Sequence, residues 1–227
     1  MLLWVFLLVP LAIGLLAQRR VRDTFRRYRD LPDRSGFTGA QVARRLLDAH
    51  GLTTIGIEVA PGVLSDHYDP TARVLRLSPD VGARASVASI GIAAHEVAHA
   101  YQDAEGSRVY RLRKRIAEPL SRLAPWSGPV LVGGFWFDSV PLMVIASVYI
   151  AGLVLFSVVT LPVELEASHR AIDVLQRTGI AAPDEIPEIR EVLRAAAFTY
   201  IAGIAQQAGI FIVVLITAAA AFGFPTF

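Results

Sequence analysis

Apolar and polar positions along this chain fall into long blocks. Residues 2–17, from Leu2 to Ala17, carry no charge and stop at Gln18-Arg19-Arg20. A run of that length is near the lower limit for a helix that crosses a bilayer. Because its positive charges follow the apolar residues, it reads as an uncleaved anchor and not as a signal peptide. Residues 119–137 and 141–161 form two further apolar runs, broken by Asp138, Ser139 and Pro141, and a last run extends from Phe198 to Phe222. The pattern predicts about four transmembrane helices: an anchor over 1–18, a hairpin over 119–161 and a C-terminal helix within 198–227. Gln206 and Gln207 in the last of these should face other helices, not lipid.

Between the apolar blocks the pattern is that of a soluble domain. Thr38-Gly39-Ala40-Gln41 has the form of a capping box, and Val42, Leu46 and Leu47 continue a helix that should stop at Gly51. Thr54–Ala60 and Val63–Ser65 read as short extended segments separated by the turn signal Pro61-Gly62. After a loop at Asp66-His67-Tyr68-Asp69-Pro70, Arg73–Leu77 reads as another strand. Ser86 should cap a helix running to about Glu105. Residues 19–118 thus predict a small α+β domain with a sheet edge near its longest helix, and residues 162–197 predict two polar helices on the same side. The fold class is a mainly α membrane protein with a small α+β domain.

Composition and charge sharpen that picture. Apolar residues make up 54% of 227 positions and mean hydropathy is +0.48, above the usual soluble globular range. Net charge is only +2, but the arginines cluster. Arg19, Arg20, Arg22, Arg26, Arg27, Arg29 and Arg34 follow the first apolar run, and Arg108, Arg111, Arg113, Lys114 and Arg115 precede the second. By the positive-inside rule both clusters belong in the cytoplasm, which puts the α+β domain there too. With no aromatic interleaving or nucleic-acid motif, the clusters indicate topology and not nucleic-acid binding. The chain has no cysteine, so a metal would be held by nitrogen and oxygen.

The chemistry concentrates in His95-Glu96-Val97-Ala98-His99. On a helix, His95 and His99 project from one face and can hold one zinc ion, while Glu96 lies about 100° round, beside the metal but not bound to it. The pattern implies zinc-assisted hydrolysis with Glu96 as general base. A third protein ligand is needed. The hairpin over 119–161 makes an even number of crossings, so Glu164 returns to the side that carries His95 and His99. Asp103, Glu166, His67 and His169 are the alternatives. His67, Tyr68, His169 and Arg170 are candidates for stabilising an oxyanion or holding substrate. His50 beside Gly51 reads as a cation at a helix C-terminus.

His95-Glu96-Val97-Ala98-His99, followed by Leu161-Pro162-Val163-Glu164-Leu165-Glu166-Ala167-Ser168, resembles the bacterial membrane-bound neutral zinc metallopeptidases of the YugP type. Asp66-His67-Tyr68-Asp69-Pro70 and Leu77-Ser78 are similar to that family's pattern, and the likeness covers nearly the whole chain. Glu164-x-x-Ala167 is further similar to the gluzincin helix whose glutamate is the third zinc ligand, although Ser168 stands where gluzincins have an aspartate that orients a ligating histidine. The resemblance implies a zincin-like domain with one zinc per chain on His95, His99 and Glu164. It also implies a multi-pass protein of the bacterial plasma membrane that cleaves peptide or protein substrates on its cytoplasmic side. A membrane-protein partner or a homo-oligomer is compatible with it. The rival reading is a catalytically inactive scaffold that keeps the fold.

Overall fold

The computed structural model describes residues 2–221. Met1 and residues 222–227, including Phe222 at the expected end of the last apolar run, lie outside the described residues. Seven helices and a three-stranded sheet are described. The helices are α1 (Leu2–Tyr28), α2 (Gly39–Ala49), α3 (Pro79–Gly82), α4 (Val87–Ala104), α5 (Arg108–Trp136), α6 (Val140–Arg177) and α7 (Ile186–Ala221). The strands are β1 (Gly56–Val59), β2 (His67–Asp69) and β3 (Val74–Leu77). The chain divides into two compact units, one of Met1–Gln18, Arg111–Pro162 and Thr199–Phe227, the other of Arg19–Tyr110 and Val163–Phe198.

In the first unit, apolar side chains such as Trp4, Leu16, Trp126, Trp136, Phe137 and Val148 are exposed, as expected of helices solvated by lipid. Among the described residues, three helices are long and apolar enough to cross a membrane: Leu3–Tyr28, Val140–Arg177 and Ile186–Ala220. Helix α5 covers the expected second crossing but is not among the three. Its 119–136 stretch is diluted by Ser121, Arg122, Ser127 and the prolines 119, 125 and 129. The turn expected at Asp138-Ser139 separates α5 from α6, with Asp138 at φ +47°. The paired glutamines do face neighbouring helices. Gln207 Oε1 accepts from Ser157 Oγ on α6 at 2.7 Å, and Gln206 Oε1 lies 3.6 Å from where Gly14 of α1 would carry a Cβ. A Cβ at Gly209 would meet the Phe6 carbonyl oxygen at 2.1 Å, so only glycine permits this approach of α7 to α1.

The second unit has its own apolar core, in which Phe25, Leu46, Leu47, Leu75, Leu77, Ile90, Val97, Leu175 and Ile189 are buried together. Helix α2 forms as expected. Thr38 Oγ1 accepts from the Gln41 amide and Gln41 Oε1 from the Thr38 amide, and Gly51, at φ +72°, follows the helix end. Ser86 caps α4 by accepting from the Ser89 amide. Small residues Ala88, Ala93, Ala94, Ala98 and Ala100 let α4 pack most of its length into the interior of this unit.

The sheet differs from the sequence reading at one strand. Val63–Ser65 is not extended into a strand. The residues expected as a loop, His67-Tyr68-Asp69, form β2, antiparallel to β3, with Tyr68 opposite Leu75, while β1 lies parallel to β3 on its other side. Pairing with β3 overrides the turn preference of Asp and Pro. The turn preference is used one residue later: Asp69 Oδ1 accepts from the amides of Thr71 and Ala72, and its Oδ2 pairs with Arg76 at 2.6 Å. The Ala72 amide and the Arg76 guanidinium hold the Asp69 carboxyl down at about 2. A carboxyl depressed in the folded state stabilises the fold above its ordinary value of 3.8, and that contribution is lost as pH falls through about 2. Asp69→Asn is therefore expected to lower the melting temperature by a few degrees at pH 7, modestly because the site is partly exposed. The gap from wild type should close in melts run near pH 2.

Candidate metal centre

Helix α4 brings His95 and His99 to one face, as a four-residue spacing requires. Glu164 arrives from α6, which continues unbroken through Pro162; the division between the two compact units falls within it, at Pro162–Val163. Glu164 Oε2 lies 3.1 Å from His95 Nε2 and 3.4 Å from His99 Nε2. The two imidazoles meet edge to face, with centroids 4.8 Å apart. One donor atom from each of the three residues lies within 4.8 Å of the others. Tetrahedral bonds of about 2.0–2.1 Å place donors roughly 3.3 Å apart. The two nitrogen–oxygen separations match that edge, and two imidazoles with one carboxylate are a donor set suited to zinc. The residues present therefore fit the ion.

Glu96 stands beside this donor set. Its Oε2 accepts from the backbone amide of Tyr68 at 3.1 Å, which ties the α4 carboxylate to edge strand β2. Burial pushes the Glu96 carboxyl up to about 7. His95 opposes the shift, Glu164 and Asp66 add to it, and the Tyr68 amide opposes it again. Asp66 is itself raised by burial, against the opposing pull of hydrogen bonds from Ser78. Asp66 Oδ1 accepts from the Ser78 amide at 2.7 Å, and both its oxygens lie 3.0 Å from Ser78 Oγ. The two separated motif fragments Asp66-His67-Tyr68 and Leu77-Ser78 thus meet here.

The remaining sequence candidates are placed apart from the donor set or behind it. Tyr68 turns its hydroxyl to Asp103 Oδ2 at 3.2 Å, and burial, with Asp103 close by, pushes that hydroxyl up to about 12. Asp103 therefore partners a phenol and is not grouped with the two histidines. The exposed His67 has its Nδ1 2.8 Å from the Ser65 carbonyl oxygen. His169 is exposed, about 140° round α6 from Glu164. Arg170 pairs with Glu105 at 2.6 Å and Glu166 at 2.8 Å, which occupies Glu166 as well. His50 stacks on Tyr101 at 3.7 Å.

Two groups behind the donor set complete the picture. Ser168 Oγ lies 3.3 Å from His95 Nδ1, on the far side of the ring from Glu164 Oε2, which faces Nε2. Gln102 Oε1 lies 2.9 Å from His99 Nδ1. Sequence reasoning missed Gln102, although a polar residue three positions beyond His99 on a buried helix was a usable signal.

A family described as "Putative neutral zinc metallopeptidase" matches this chain over residues 3–219. The chain is also similar to the "Putative membrane protease YugP" of Bacillus subtilis (strain 168), with 39% identity over 202 residues that cover 88% of this chain and 89% of that protein. No solved structure matches the chain.

Proposed function

This chain belongs to the putative neutral zinc metallopeptidase family, and from that premise we propose a membrane-embedded zinc-dependent endopeptidase that hydrolyses peptide bonds near the cytoplasmic face. One observation carries the reading: Glu164, 65 residues beyond His99 in sequence (164 − 99), has its Oε2 3.1 and 3.4 Å from the two histidine Nε2 atoms. His95, His99 and Glu164 are the ligands. A zinc ion held there would supply Lewis acidity to an attacking water and to the peptide carbonyl. Glu96 takes a proton from that water on its carboxylate and delivers it to the leaving amine nitrogen. The Tyr68 amide, donating to Glu96 Oε2 at 3.1 Å, fixes one oxygen of that carboxylate.

Edge strand β2 has β3 on one side only. An extended substrate adds to its open side, with backbone hydrogen bonds giving affinity and side-chain pockets giving selectivity. The exposed His67 on this strand is the group placed to meet such a peptide, whereas Tyr68 is buried with its hydroxyl on Asp103 and its amide on Glu96, Arg170 is ion-paired and His169 points outward. The unit that holds the site, Arg19–Tyr110 and Val163–Phe198, is zincin-like. The two arginine clusters orient it to the cytoplasm. The membrane part consists of the anchor over 1–18, the hairpin over 119–161 with α5 as a fourth crossing, and the helix over 198–227, in a bacterial plasma membrane.

The full chain reconstituted in lipid vesicles is expected to cleave an unstructured protein such as casein. A zinc chelator should abolish cleavage and added zinc should restore it. Cleavage that persists undiminished in chelator would reject the reading.

A further inference from the structure

The Gln102 side chain is fully buried, yet it contributes no atom to the donor set. Its Nε2 donates to the Val163 carbonyl oxygen at 3.1 Å and to Glu166 Oε2 at 3.2 Å. Carbonyl and carboxylate oxygens accept hydrogens and have none to give. The amide can therefore sit only one way round, with its NH2 toward Val163 and Glu166 and its Oε1 toward His99. Oε1, 2.9 Å from His99 Nδ1, also has no hydrogen to give, so Nδ1 must carry it. The lone pair is then at His99 Nε2, the atom 3.4 Å from Glu164 Oε2. The polarity of one chain of hydrogen bonds, from the backbone of α6 through an amide to the ring, decides which nitrogen meets a metal. His95 has no such device, because its partner Ser168 Oγ can donate or accept.

The same amide joins the two halves of the site. Val163 immediately precedes Glu164, so the bond from Gln102 to the Val163 carbonyl fixes the turn of α6 that carries the third carboxylate against the turn of α4 that carries His99. Glu166 extends the tie, since its other oxygen pairs with Arg170, which also pairs with Glu105 at the end of α4.

We propose that Gln102 is a positioning residue for the metal centre: it holds His99 with the hydrogen on Nδ1 and Nε2 toward Glu164, and it sets the spacing between the α4 histidines and Glu164. This rests on the reading of His95, His99 and Glu164 as ligands. Three variants of the full chain in detergent test it, with zinc dissociation constants measured by chelator competition and with absorption spectra of the cobalt-loaded proteins. Q102M keeps the size of the side chain but loses all three bonds, and is expected to weaken zinc about 10–100-fold and to change the cobalt spectrum. Q102E/E166Q keeps an acceptor toward His99 and replaces the facing Glu166 carboxylate by an amide that can donate to it, and should recover part of the affinity lost in Q102M. E166Q leaves the bond to Val163 in place and should change affinity least.

Equal affinity in wild type and Q102M would overturn the proposal, as would equal losses in Q102M and Q102E/E166Q, which would mark Gln102 as packing alone. Nitrogen NMR of histidine-labelled, zinc-loaded wild type reads the ring directly and does not depend on how the variants fold. His99 is expected to bind through Nε2 with a slowly exchanging hydrogen on Nδ1, and binding through Nδ1 would overturn the assignment. Wild-type protein that takes up no zinc would sink the metal-site reading itself, whereas zinc uptake indifferent to Gln102 sinks this proposal alone.

Discussion

Glu96→Gln is expected to lower the rate of peptide cleavage by about 10²–10⁴-fold, the range supplied by a positioned acid–base group, while bound zinc stays at the wild-type level. Glutamine has the shape of glutamate and keeps an oxygen to accept the Tyr68 amide now bonded to Glu96 Oε2. It cannot take a proton from water. The side chain is buried and is not one of the three residues in the donor set, so a neutral amide removes a desolvated charge without removing a ligand. The variant should melt no lower than wild type, because burial already disfavours the carboxylate. Paired measurements of zinc content and cleavage rate check this. Equal activity in Glu96→Gln and wild type would remove Glu96 from the chemistry.

Glu164→Ala should have the larger effect on the metal. The carboxylate is the only oxygen donor in the group and sits between both imidazoles. Its removal leaves two nitrogens from one helix, short of the three protein ligands of a catalytic zinc site. Zinc affinity is expected to fall by more than the roughly 100-fold upper range seen for groups that only orient a ligand. The same change leaves a small cavity beside α4 in a well-packed core, so the metal-free variant should also melt somewhat lower. The comparison with Gln102 is informative, since a ligand and a group that positions a ligand should differ in the size of the loss.

Much of the architecture was legible because it is local. The capping box at Thr38 and Gln41, the glycine that follows α2 and the Ser86 cap each depend on residues within one turn, and the apolar runs record their solvent directly. Strand β2 was not legible. His67-Tyr68-Asp69-Pro70 has turn composition, and only the β3 partner and the Glu96 carboxylate make it an edge strand. Helix α6 carries the apolar run and the polar segment on one element through Pro162, a continuity that the change of composition near residue 162 does not itself reveal. The second crossing was overestimated in apolarity, since the three prolines and Arg122 of α5 weigh against the aromatic residues at its end.

At the site, the local part was again the legible part. His95, Glu96 and His99 declare themselves by spacing on one helix. Glu164 has no local signal. It emerged from counting crossings and from resemblance to a gluzincin helix, and the fold brings it to within 3.4 Å of both rings. Ser168 reaches His95 although it is not the aspartate of the resembling helices, because position 168 lies one turn beyond Glu164 on the same face. Gln102 escaped notice because its partner Val163 is distant in sequence and offers a backbone carbonyl, and Asp66 and Ser78 stood out only as separate motif fragments, with nothing local to show that they bond each other.

The central claim is that His95, His99 and Glu164 form one zinc site drawn from two separated segments. Zinc per chain, counted in purified full-length wild type beside Glu164→Ala after both are equilibrated with the same buffered free zinc, tests it most directly. One zinc per wild-type chain and close to none in Glu164→Ala is the predicted result. Full occupancy in Glu164→Ala, or none in wild type, would contradict it.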